Sequence, residues 1–246
     1  MKIEPILLCA TQISTYLEQN YLTNATGFFF QREQKLFLVS SRHVFFDDES
    51  KHFPDRIQIK FHIDKDNVTR TIDYSIPLYI DGKSQWMSGS DLTGDIDVAV
   101  IQIARERLPL GVIFEAFGPR NLMAPDDTLE IGTSLLIVGF PLGFHDTLHN
   151  LPVARSAINA SSFALRFQGN GYFLTDARTH RGSSGAPVVC RENAVKSLSL
   201  PWVLLGVHSA RLDITGRDSK LDEALGLNCA WFADILLALT EARKQT

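Results

Sequence analysis

The sequence predicts an all-β protein: two groups of about six short strands, packed side by side as two antiparallel barrels, with a helix at the C-terminus. Three observations lead there. Short apolar segments recur along the chain with turn signals between them. One stretch, Ala104–Thr128, has no clean period, carries Pro109, Gly118, Pro119 and Pro125, and divides the segments into two sets. The final residues then switch to helical spacing.

In the first set, strands are expected at Ile6–Ile13, Thr26–Phe30, Leu36–Ser40, Ile57–Ile63, Val68–Ile76 and Val98–Ile103. Ile57–Ile63 alternates strictly, the mark of a strand with one buried face. Asp81-Gly82, Ser88-Gly89 and Thr93-Gly94 predict a loop before Val98. In the second set, strands are expected at Ser134–Gly139, Ala154–Ala160, Tyr172–Thr175, Ala186–Cys190, Trp202–Ser209 and Leu225–Ala230. Trp231, Phe232, Ile235, Leu236 and Leu239 recur at helical spacing with basic residues after them, predicting an amphipathic helix over Trp231–Arg243. The expected organisation is one domain of two lobes, about 1–108 and about 129–230, with the helix at 231–243 packed on the second.

Bulk properties narrow the function. The 246 residues allow a substantial core, and a net charge of −4 with scattered basic residues argues against nucleic acid or an anionic membrane as partner. The three cysteines, Cys9, Cys190 and Cys229, are few, odd in number and far apart, which fits a reducing compartment and a cytoplasmic location. Glu4 and Pro5 interrupt the start of a short apolar run, so no signal peptide is expected. No C-x-x-C or H-E-x-x-H spacing suggests a metal, and no cofactor is expected.

The chemistry centres on Thr175–Val189, which contains Gly182-Ser183-Ser184-Gly185-Ala186-Pro187. Glycines on both sides permit a tight turn whose N–H groups converge, with a serine exposed at its apex. That suits a nucleophile beside an oxyanion hole. Among seven histidines, His43 follows the apolar strand Leu36–Ser40, where a base is held rigidly yet faces a cleft. His62 is expected to be structural, and His180 lies too close to the tight turn to serve Ser184. Asp97 abuts the run Val98–Ile101, the place for a partly buried carboxylate that orients an imidazole, with Asp95 as its rival.

Further segments join these: Thr26-Gly27-Phe28, Val39–Val44, Asp97–Val100, Gly139-Phe140-Pro141-Leu142-Gly143, Thr175-Asp176-Ala177 and Leu205–Ser209. In this order the chain resembles the trypsin-like serine peptidases of chymotrypsin fold, particularly the disulfide-free bacterial type. The resemblance implies two six-stranded antiparallel barrels with the active site at their seam. It implies Ser184 as nucleophile, His43 as its base, Asp97 as the orienting acid, and the N–H groups of Gly182 and Ser184 as the oxyanion hole. It places Ser209 near Asp97, Ala210 and Arg211 where substrate backbone pairs, and Arg178 near the floor of the specificity pocket. Arg178 there would favour an acidic side chain, unless it pairs with Asp176 or Glu192. Ser183 stands where many digestive members carry aspartate, so activation through a freshly cut N-terminus is not expected, and Ala186 replaces a frequent glycine.

The function expected is a serine endopeptidase acting on protein or peptide through an acyl-enzyme, with room for a regulatory protein partner. The alternatives are a latched or inactive peptide-binding module that adds a substrate strand without cutting it, and an esterase with the same nucleophile.

Overall fold

The computed structural model describes residues 3–124, 126–191, 200–211 and 226–241. In chain order the strands are β1 (Ala10–Leu17), β2 (Asn20–Arg32), β3 (Lys35–Ser40), β4 (Arg56–His62), β5 (Thr71–Pro77), β6 (Tyr79–Ile80), β7 (Lys83–Ser84), β8 (Trp86–Asp91) and β9 (Gly94–Ile103). The second set follows as β10 (Ser134–Gly139), β11 (Val153–Asn159), β12 (Tyr172–Asp176), β13 (Pro187–Arg191), β14 (Trp202–Arg211) and β15 (Leu227–Phe232). Two short helices complete the pattern, α1 (Arg42–Phe45) and α2 (Ile235–Leu239).

The second lobe is a closed six-stranded barrel in the order β10-β11-β12-β15-β14-β13. The first is a seven-stranded sheet ordered β5-β4-β1-β2-β3-β9-β8, and its edge strands β5 and β8 do not pair with each other. The expectation of two closed six-stranded barrels therefore holds for one lobe only. The difference lies in residues 79–91, where the glycine-punctuated loop carries the small β6–β7 hairpin and the edge strand β8. Met87 pairs with Val100 and Trp86 with Ile101, so β9 recruits a strand from a stretch with weak local signal.

Two further boundaries differ. Pro5 starts a 3-10 turn over Pro5–Leu8, since a residue with no N–H suits a first helical position, and β1 begins only at Ala10. Trp231 and Phe232 belong to β15, where Trp231 pairs with Tyr172 on one side and Val207 on the other. Their helical spacing to Ile235 and Leu239 was a coincidence of the pattern, and the described helix is confined to Ile235–Leu239. The connecting stretch 104–128 contains 3-10 turns at Arg105–Arg107 and Pro119–Asn121 and runs along both lobes. Gln31 N–H donates to Phe117 O at 2.7 Å, and Asn121 Nδ2 donates to the carbonyls of Leu200 and Trp202.

The largest core cluster lies between the lobes. Phe28, Phe30, Phe37, Val39, Val98 and Val100 from the first sheet meet Val138, Val189, Leu204, Val207 and Trp231 from the barrel. Separate clusters fill the first lobe around Phe29, Phe45 and Phe61, and the barrel around Phe173, Val188 and Leu205. Burial of this apolar surface at about 25 cal/mol per Å² fixes how β2, β3 and β9 lie against β13 and β14. That docking puts the ends of β3 and β9 beside the loop that precedes β13. Among the described residues no helix is long and apolar enough to cross a membrane.

Candidate active site

β3 ends at Ser40, and one turn of helix follows that carries His43. The turn is pinned by its first residues. Ser40 Oγ donates to Thr26 O at 2.8 Å, and Ser41 Oγ donates across the seam to His208 O at 3.1 Å. Asp97 lies on β9 beside β3, with Ala99 opposite Ser40. Its carboxylate takes both hydrogens that His43 presents: the backbone N–H on Oδ1 at 2.9 Å and ring Nδ1 on Oδ2 at 2.8 Å. Oδ2 also accepts from Ser209 Oγ, so Ser209 sits beside Asp97. Asp95 is instead 63% exposed and pairs with Arg42 at 3.0 Å, which removes it as a rival. His43 has its pKa raised: burial pushes it down, but the Asp97 hydrogen bond and charge, with that of Asp47, outweigh burial.

Ser184 comes from the barrel, in the loop between β12 and β13. Thr26 holds this loop: its N–H donates to Ser184 O at 3.0 Å, its Oγ1 donates to Gly182 O at 2.7 Å, and Phe140 N–H donates back to Oγ1 at 3.0 Å. Gly185 N–H donates to His208 O at 2.7 Å. Both glycines are required here. Gly182 has φ 88°, and a Cβ on it would lie 2.5 Å from Phe140 O; at Gly185, φ is 83° and a Cβ would lie 2.2 Å from Thr26 O. Ser183 is buried, and its N–H donates to His180 O.

The N–H groups of Gly182 and Ser184 donate to no acceptor among the described residues, although their neighbours at Ser183, Gly185 and Ala186 all do. Two undonated N–H groups in one tight turn, on either side of Ser183, are the kind of donors a developing oxyanion needs. Ser184 Oγ donates to Ser209 O at 3.2 Å, and no hydrogen bond joins it to the His43 ring. Ser209 therefore bridges the constellation, with its hydroxyl on Asp97 and its carbonyl on Ser184.

The remaining sequence-derived positions are placed as follows. Ala210 is exposed near the end of β14, and Arg211 closes that strand opposite Asn228. Arg178 is exposed and forms no ion pair with Asp176 among the described residues; Glu192 lies outside them. The polar side chain turned inward at this place is its neighbour Thr179, which donates to Asn228 Oδ1. His62 is buried, with Nε2 2.7 Å from His149 O. The sequence did not single out Thr26, Ser41 or His208 for a role. Their signal was position only, since each lies inside a segment that matches the resemblance.

The family is shown directly. Residues 25–196 match the model of the trypsin-like peptidase domain. The chain belongs to the trypsin-like peptidase family. Solved structures share the fold: a serine endoprotease from Yersinia pestis superposes with a TM-score of 0.55 at 15% identity, over 95% of this chain and 62% of that one. The active form of a protease from M. tuberculosis gives a TM-score of 0.52 at 14% identity, over 96% of this chain and 82% of that one. The trypsin-like chain thus spans less than two thirds of the Yersinia protein's length. No curated protein matches the sequence.

Proposed function

We propose that this trypsin-like chain is a serine endopeptidase acting through an acyl-enzyme, with His43, Asp97 and Ser184 as its triad. The observation that carries the reading is the pairing of one histidine with a doubly engaged aspartate across the seam from a serine whose turn holds two undonated N–H groups. Ser184 Oγ attacks the scissile carbonyl carbon while His43 Nε2 takes its proton. The carbonyl π pair moves onto oxygen, which the N–H groups of Gly182 and Ser184 stabilise. Collapse expels the amine, protonated by His43. Water then attacks the ester, again giving its proton to His43, and releases the acid and Ser184. Asp97 holds Nδ1 protonated, leaving Nε2 as the acceptor. Ala210 and the backbone of Arg211 would pair with the substrate as an added strand.

The test is cleavage of a peptide library by wild type and Ser184→Ala, with thermal stability followed in parallel. Cleavage lost in the variant at unchanged Tm supports the reading; equal cleavage by both overturns it. One observation favours a second reading, a latched peptide-binding module: the Ser184 hydroxyl is turned to Ser209 O. A rotation about χ1 to another staggered well would release it. Saturable peptide binding without cleavage would support the latch. The cytoplasm remains the proposed location, on cysteine usage alone.

A further inference from the structure

Thr26 stands between the two halves of the site. It lies on β2 opposite Gln12 of β1, two residues before the pairing with β3 begins at Phe28, so its other edge is left to different partners. Its carbonyl accepts from Ser40 Oγ at 2.8 Å, beside the turn that carries His43. Its N–H donates to Ser184 O at 3.0 Å. Its buried hydroxyl receives Phe140 N–H at 3.0 Å and donates to Gly182 O at 2.7 Å. A threonine hydroxyl has one hydrogen to give. With Phe140 N–H on a lone pair, that hydrogen is directed to Gly182 O.

The nucleophile's turn is set by three successive peptide units. In a trans peptide the N–H points away from the carbonyl of the residue before it. Leu142 N–H holds Arg181 O at 2.5 Å, which turns Gly182 N–H the other way. Ala186 N–H holds Ser183 O at 2.9 Å, which does the same for Ser184 N–H. The unit between them joins Gly182 to Ser183. Its N–H donates to His180 O at 3.1 Å, and its carbonyl takes the Thr26 hydroxyl. Gly182, at φ 88°, has the backbone freedom that would let this unit rotate. Among the described residues Thr26 is the side chain that holds it; the other anchors of the three units are main chain.

We propose that Thr26 is a positioning residue for the reaction: its hydroxyl fixes the angle between the Gly182 and Ser184 N–H groups, so that both meet the oxygen that becomes charged when Ser184 attacks. The proposal rests on Ser184 being the nucleophile. The neutral carbonyl of bound substrate draws little on these donors, whereas the oxyanion draws on both. Loss of the hydroxyl therefore falls on kcat and spares KM.

The experiment compares wild type with Thr26→Val, Thr26→Ser and Thr26→Cys on one peptide substrate, with Tm followed in parallel. Thr26→Val is expected to lower kcat roughly 10–100-fold, less than the loss of a donor itself, with KM within about 3-fold. Its affinity for a peptide trifluoromethyl ketone, whose adduct on Ser184 bears an oxyanion, should fall by a similar factor. Thr26→Ser keeps the hydroxyl and should stay within about 3-fold of wild type. Thr26→Cys, with a weak donor in the same place, should fall between; the Ser and Cys variants carry the comparison if Thr26→Val does not fold. A kcat that is the same in all folded variants overturns the proposal, as does a Thr26→Ser protein as slow as Thr26→Cys. A lower Tm or a raised KM at unchanged kcat marks a purely structural hydroxyl and overturns it too. Amide ¹H–¹⁵N signals of Gly182 and Ser183 separate this from the nucleophile reading. They should move in Thr26→Val or Thr26→Cys and hold in Thr26→Ser, with the His43 ring signals unchanged. Moved signals in a chain whose wild type cleaves nothing support the positioning and count against the nucleophile, whereas unmoved signals overturn the positioning whatever the cleavage.

Discussion

Replacing Asp97 by asparagine tests the constellation where its geometry is tightest. The carboxylate accepts from His43 N–H, His43 Nδ1 and Ser209 Oγ, and asparagine has one acceptor oxygen for these. Amide nitrogen at the Oδ1 position would face the His43 backbone N–H, donor against donor. Amide nitrogen at the Oδ2 position avoids this, but it donates to Nδ1 and moves the ring proton to Nε2. Nε2 then has no lone pair for the Ser184 proton. Two charge-assisted bonds are weakened at about 1.5–3 kcal/mol each, together about 3–6 kcal/mol. At 1.36 kcal/mol per decade this is a loss of roughly 10²–10⁴ in rate. The assay is the rate of fluorophosphonate labelling, with Tm as control, since asparagine fills the same volume. Labelling within about 3-fold of wild type would refute the assignment of Asp97 as the acid that sets the tautomer of His43.

Other outcomes follow from the same geometry. Gly182→Ala forces a Cβ to within 2.5 Å of Phe140 O at φ 88°; the turn must move, and labelling should fall by about 100–1000-fold with a modest loss of Tm. Activity should rise with pH as His43 loses its proton, with a midpoint above 6.5 because its pKa is raised. Asp47 is one source of that rise, so Asp47→Asn should move the midpoint of the kcat/KM profile down. His208 acts oppositely on stability. Its pKa of about 4 lies below the unfolded 6.5, so between these values the unfolded chain binds the extra proton and stability falls as pH falls. The loss, complete below about pH 4, is on the order of 3 kcal/mol, and urea unfolding of His208→Val should lack that component.

The catalytic candidates were legible because each stands at a local break: His43 where an apolar run ends, Asp97 where one begins, Ser184 between two glycines. Those breaks fall at the seam because β3, β9 and β13 all contribute to the core between the lobes. Features set by distant partners were not legible. β8 is a strand only because β9 pairs with it, and its sequence, with Gly89 inside, reads as loop. Trp231 and Phe232 satisfy a helical period, yet Tyr172 and Val207 hold Trp231 as strand. Arg178 carried the more conspicuous charge, while burial assigns the inward position to Thr179.

The central claim is that Ser184 is a nucleophile activated by His43. Mass-spectrometric mapping of a fluorophosphonate adduct on the wild-type chain tests it most directly. The account predicts one adduct, on the peptide bearing Ser184, formed at a rate that collapses in His43→Ala. An adduct on another residue, or one on Ser184 whose rate is unchanged in His43→Ala, would contradict it.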